Sequence, residues 1–187
     1  MITDDQRQRA QWIGENRCVE RRRLLMLRGF RKHGDESAHN LRQARVIAYV
    51  LDHYPVVIDD GELLVGKYST DPLTEAEQEE LRAGGDVLGG LQSGLRFGPG
   101  SGGVGGHRTI DFEKLLQVGV CGILREDEEK EREAGERPPP FYEACRTVLE
   151  ALLRFAARYR DRREELQDAE QAAVRRKQLA AVADVLS

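Results

Sequence analysis

Residues 141–166 read FYEACRTVLEALLRFAARYRDRREEL, and the spacing of their apolar side chains decides the fold class. Phe141, Cys145, Val148, Leu149, Leu152, Ala156 and Tyr159 recur every three or four positions. That period puts them on one face of a helix, with arginine and glutamate opposite. Pro138-Pro139-Pro140 breaks the chain just before, so a long helix is predicted from Phe141 onward.

The same period recurs on both sides. Leu41, Ala44, Ile47, Ala48 and Leu51 predict a helix over about 37–53, closed by Pro55. Residues 3 to about 32 also have helical character, interrupted in pattern by Gly14 and Gly29, with Gly34 as a stop. Asp111 is placed to cap a helix carrying Phe112, Leu115, Leu116, Val120 and Ile123, which runs into the charged stretch REDEEKERE. A further helical pattern spans about 172–186. Val56-Val57-Ile58 and Leu63-Leu64-Val65 flank Asp60-Gly61, a turn signal, and predict one small β-hairpin near 56–66. The expected class is therefore mainly α with that single hairpin, in one partial domain covering 1–187. Within it, 68–108 forms a long Gly-rich loop bearing a short helix, which opens on the capping-box spacing Thr74-Glu75-Ala76-Glu77.

Composition narrows the function classes. A chain of 187 residues suits one domain or a large part of a bigger one. Its net charge of -4 gives no global attraction to nucleic acid. The basic runs Arg21-Arg22-Arg23 and Arg175-Arg176-Lys177 lie among acids and are expected to be solvated helix faces. No apolar run reaches the ~18 residues that would span a membrane. The three cysteines, Cys18, Cys121 and Cys145, are far apart and form no C-x-x-C, which suits free thiols in a reducing cytoplasm. No clustered Cys or His suggests a zinc site.

Residues 98–107, GPGSGGVGGH, contain six glycines and a literal G-x-G-x-x-G. A dinucleotide loop needs a buried strand directly before it and alternating β and α units around it. LGGLQSGLRF precedes it instead, and no Lys-Ser or Lys-Thr follows a glycine as a P-loop requires. Nucleotide binding is therefore not expected. His107, loop-borne beside a predicted helix start, is the candidate substrate-side residue; His33, His39 and His53 lie in or beside helical sequence and are expected to be structural or exposed. Asp59, Asp60, Glu62 and Asp111 are available carboxylates, but spacing alone assigns no acid/base pair among them. Cys18 lies among arginines, which could lower a thiol pKa, whereas Cys121 and Cys145 fall on apolar stripes and are expected in the core.

Four segments, taken in order, resemble one family. They are RCVERRRLL at 17–25, NLRQARVIAYVLDHYPVVIDDGELLVG at 40–66, GGHRTIDFEKLLQVGVCGI at 105–123 and the 141–166 stretch. Together they are similar to the N-terminal region of glycyl radical enzymes, the pyruvate formate-lyase-like family. The most specific pieces are IDDGELLVG and the GH…DFEKLL…G start.

The resemblance implies a helical part of a larger α/β barrel enzyme that cleaves C–C, C–N or C–O bonds by radical chemistry. It implies that a separate activating enzyme, using S-adenosylmethionine and an iron–sulfur cluster, installs the glycyl radical. It also implies a homodimer for the complete enzyme, with the remainder of that enzyme as this chain's partner. It departs at two places. The family's thiyl cysteine lies in a Gly-Cys-Val-Glu loop, whereas Arg17 precedes Cys18, and no Arg-Val-[Ser/Ala]-Gly-Tyr-like radical motif occurs in these residues. No catalytic, cofactor-binding or metal-binding residue is therefore expected here, and the sequence reads as scaffold preceding the barrel, inactive alone. Two other readings remain open: a helical binding or regulatory module derived from the family, and a separate enzyme built on His107.

Overall fold

The computed structural model describes residues 3–59, 62, 65–85, 111–136, 139–169, 180 and 182. Among them all regular structure is helical: α1 (Asp4–Asn16), α2 (Val19–His33), α3 (His39–His53), α4 (Glu75–Ala83), α5 (Phe112–Glu133) and α6 (Pro140–Ala169). The Gly-rich stretch 86–110, with His107, lies outside the described residues. So does most of the predicted 172–186 helix, of which Ala180 and Val182 are described, Val182 as a buried residue.

The predicted helix over 3–32 is two helices, and neither glycine divides it. The break falls at Arg17-Cys18, where the Cys18 N–H donates to the Ser69 carbonyl at 2.7 Å instead of joining a helical ladder. Ser69 is itself anchored, because its N–H donates to the Tyr54 hydroxyl at 3.0 Å. α1 begins with a reciprocal cap between Thr3 and Gln6 and buries no residue. α2 buries Leu24, Leu25, Leu27 and Phe30. Gly29 lies within α2, where it permits close packing: a Cβ there would stand 3.3 Å from Val46 Cγ1 and 3.4 Å from the Tyr49 ring on α3. Phe30 and Val46, flanked by Met26, fill this α2–α3 junction.

α4 opens on the expected cap, in which the Thr74 hydroxyl accepts from the Glu77 N–H and the Glu77 carboxylate accepts from the Thr74 N–H. Ion pairs hold it to α2. Arg21 meets Glu77 at 2.6 Å, while Arg28 and Arg31 converge on Glu80 at 2.7 and 3.0 Å. The hydrogen bond from Arg28 holds the Glu80 carboxyl below its ordinary pKa.

α3 and α6 share the most extensive helix–helix contact. Arg45 pairs with Glu143 and Asp52 with Arg154, in the same order along both helices, so the two run side by side in one direction. Ala44 and Ala48 on α3, and Ala144 and Ala151 on α6, are buried. The buried line of α6 is thus Ala144, Ala151 and Tyr159; the predicted stripe members Phe141 and Leu152 stand exposed.

No strand occurs among the described residues, which corrects the predicted hairpin; Asp60, Gly61, Leu63 and Leu64 fall outside them. The Glu62 N–H does donate to the Asp59 carbonyl at 3.3 Å, and the Asp59 N–H to the Glu62 carboxylate at 2.8 Å. The apolar residues on either side join one cluster with α6. Val56, Ile58 and Val65 pack with Phe155, Tyr159 and Leu166, and the Val57 backbone hydrogen-bonds the Tyr159 hydroxyl.

α5 is kinked at Gly119, whose φ of 64° lies in the left-handed region that glycine tolerates. Asp111 caps its start as expected, its side chain accepting from the Lys114 N–H at 3.0 Å. The kink changes which face is covered. Phe112 and Leu116 are 59% and 85% exposed, and Cys121, expected in the core, is exposed too.

Candidate functional site

α3 and α5 both pack on α6, and between them lies a cleft of about 580 Å³. Ala44 and Ile47 of α3, Ile123 of α5, and Ala144, Val148 and Leu149 of α6 give it apolar walls. Phe141, 54% exposed, also lines it.

Polar groups border this apolar space in a definite arrangement. Glu126 accepts from Lys114 at 2.5 Å and Lys130 at 3.2 Å, so two cations are committed to one carboxylate. Those two hydrogen bonds, Lys114 first, keep the Glu126 carboxyl below its ordinary range. Arg146 is held by Glu131. Asp127 is 8% exposed, and its Oδ2 hydrogen-bonds no protein group. Burial pushes the Asp127 carboxyl above its ordinary range, opposed by the nearby Arg146 charge. The Cys145 thiol lies within hydrogen-bonding reach of the same carboxylate, and burial raises its pKa as well.

Asp127 was hidden in the sequence by its neighbours in REDEEKERE. Its register was legible, because Val120, Ile123 and Asp127 fall at i, i+3 and i+7 and continue the apolar face inward. An ionised, half-paired carboxylate at that position opposes folding. Asp127→Asn is therefore expected to stabilise the chain by about 1 kcal/mol at neutral pH. The sign follows from linkage: an acid with a raised folded-state pKa destabilises the fold progressively as pH climbs from its unfolded to its folded value. Urea unfolding followed by circular dichroism should show the gain at pH 7 and its loss near about pH 3.

The remaining sequence candidates do not converge. Cys18 is half-buried before the first turn of α2 and borders a second groove, of about 770 Å³, with Arg17, Arg23 and Gln78. His39 and His53 are exposed, as expected, with His53 stacked on Tyr49 at 4.0 Å. His33 is half-buried, and burial lowers its pKa. Asp59 binds Arg9 at 2.8 Å and also pairs with Lys67, so it ties α1 to the segment after α3. Of the basic run in α2, Arg21 is engaged with Glu77 while Arg22 is exposed. Among the described residues no three His, Cys, Asp or Glu side chains form a metal-binding group, and no helix is long and apolar enough to cross a membrane.

A family model described as pyruvate formate lyase-like matches residues 93–187, just over half of the chain. The chain belongs to the pyruvate formate lyase-like family. Solved structures agree in fold. The glycerol-bound B12-independent glycerol dehydratase from Clostridium butyricum superposes with a TM-score of 0.72 at 21% identity, over 89% of this chain and 28% of that one. An enzyme of 1,2-propanediol dehydration from Roseburia inulinivorans gives 0.71 at 20% identity, over 89% and 26%. A glycyl radical enzyme from Archaeoglobus fulgidus gives 0.65 at 23% identity, over 91% and 29%. The pyruvate formate lyase-like chain thus has the fold of a helical part of these enzymes and spans under a third of the length of each. None of the curated proteins compared with it matches.

Proposed function

We propose that these 187 residues are the N-terminal helical scaffold of a glycyl radical enzyme, a radical lyase or dehydratase whose reactive centres lie in its remaining part. The observation that carries this reading is the uncovered apolar surface. Phe112, Leu116 and Val118 on the first turns of α5 are exposed, on a fold that spans 28% of the glycerol dehydratase it resembles. Large apolar side chains exposed side by side on one helix mark a surface that another body covers. The sequence contains neither the Gly-Cys-Val-Glu loop nor the glycyl motif, so the scaffold alone is inactive.

In this reading the remainder of the enzyme covers α5, and an activating enzyme with S-adenosylmethionine and an iron–sulfur cluster acts on that remainder. The complete enzyme is a cytoplasmic homodimer working anaerobically. The scaffold supplies positioning and exclusion of water while the radical performs the hard chemistry. Incubating the 187-residue chain anaerobically with activating enzyme, reductant and S-adenosylmethionine should give no organic radical by electron paramagnetic resonance. A polypeptide extended to include both motifs should give one. A glycyl radical signal from the 187 residues alone would overturn the proposal.

A further inference from the structure

Among the described helices α1 is the least anchored. Of its 13 residues only Arg9 and Ile13 are half-buried, four positions apart on one face. The rest are exposed, Trp12 to 52%. α1 shares no extensive packing with another helix. Its side-chain bonds are otherwise internal: Thr3 with Gln6, Asp4 with Arg7, Gln11 with Glu15, and Asn16 with the Trp12 carbonyl. What reaches beyond the helix is one ion pair, Arg9 to Asp59 at 2.8 Å. A helix this short is marginal in water without tertiary packing, even when capped.

That ion pair can be given up at low cost. Asp59 Oδ2 also pairs with Lys67, whose side chain is only 9% exposed. Arg9 and Lys67 repel each other: burial, and then the Arg9 charge, hold the Lys67 ammonium below its ordinary pKa. When Arg9 leaves, the repulsion ends and Asp59 keeps a cation, so no buried charge is orphaned. The joint suits such a motion. Arg17 is exposed and extended, at φ −62° and ψ 129°, while the Cys18 N–H is pinned to the Ser69 carbonyl. Glu15, Asn16 and Arg17 line one side of the groove that Cys18 borders.

We propose that α1 is a hinged strap, latched by Arg9 on Asp59, whose swing about Arg17 opens the groove beside Cys18. The α2 side of the hinge stays in place, because Ser69 holds Cys18 and the ion pairs to α4 hold α2. Glu15 and Asn16 travel with the strap, and the thiol beside them gains access to solvent.

The test follows hydrogen exchange of the 187-residue chain by mass spectrometry, together with the rate at which iodoacetamide alkylates Cys18, read from its peptide. Amides of α1 should exchange at least about a hundredfold faster than those around Leu24 and Leu27 in α2, by local opening. Arg9→Gln removes the latch from the strap alone. It should speed both α1 exchange and Cys18 alkylation, by up to about fivefold, the upper range for a largely accessible ion pair. Exchange in α2 should not change. Lys67→Met leaves Asp59 to Arg9 and should slow both rates. Circular dichroism of each variant checks the fold. Protection of α1 equal to that of α2, or unchanged α1 exchange in Arg9→Gln, would overturn the latch. Faster α1 exchange in Arg9→Gln with unchanged alkylation of Cys18 would overturn the link to the groove.

Discussion

Ala151→Leu should cost the chain about 2–3 kcal/mol and separate α6 from α3. Ala151 is 0% exposed, midway along α6, where that helix makes its largest contact with α3. Ala44 and Ala48 are buried on α3, in register with Leu51 and Asp52, residues whose carbonyl and carboxylate bind Arg158 and Arg154 of α6. Two helices approach closely when the residues between them are small, and added methylenes then have nowhere to go without shifting backbone. Three further carbons at Ala151 would push against that line and pull Asp52 away from the two bonds it makes with Arg154, both 3.0 Å. Urea unfolding monitored at 222 nm should show a lower midpoint, accompanied by a smaller denaturant slope if α6 has loosened in the native state. Ala151→Ser adds only one atom and should cost far less. If leucine is accepted with no loss, the α3–α6 contact is more yielding than its buried alanines imply.

That contact also shows where the sequence was informative and where it was not. The 3.6-residue period located α3 and α6 within two residues of their starts, because burial of one face is a local property of the pattern. It misplaced the centre of the buried face on α6. Phe141 and Leu152 are the larger apolar residues and dominated the pattern, yet the structure buries Ala144 and Ala151 instead. Close helix packing rewards small side chains, and hydrophobicity alone ranks them low. The break at Cys18 was equally illegible, since it depends on a hydrogen bond to Ser69, fifty-one residues away. The strand-like residues 56, 58 and 65 were recognised as apolar, but their packing on α6 was not foreseen, since β-branched residues fit any half-buried extended segment. The family, by contrast, was legible from four segments in order. His107, the one substrate-side candidate, falls outside the described residues. The cleft at Asp127 was missed because a single inward-facing aspartate is masked by a run of acids.

Arg158→Met should lower stability by about 2 kcal/mol, within the range for losing hydrogen bonds from a charged donor, here to half-buried acceptors. The cause begins at Pro55. In a helix the Leu51 carbonyl would accept from the N–H four residues on, but that residue is proline and has none. The carbonyl before it fares better, because the Tyr54 N–H reaches Val50 O at 2.8 Å. Arg158 from α6 supplies the missing donors, Nη1 to Leu51 O at 2.9 Å and Nη2 to Tyr54 O at 2.8 Å. Its positive charge also stands at the C-terminal, negative end of α3. One guanidinium thus closes the end of α3, ties it to α6 and fixes where the 55–59 segment leaves. Methionine keeps most of the apolar stem but no donor, so the two carbonyls lose their partners. Lysine should recover less than half of the loss, since a single ammonium lacks the fork that spans two acceptors. Hydrogen exchange offers the sharpest check: amides in the last turn of α3 should lose protection in Arg158→Met while those of the α2–α4 junction keep theirs. Uniform loss of protection across the chain would mean instead that Arg158 stabilises the fold as a whole rather than this helix end.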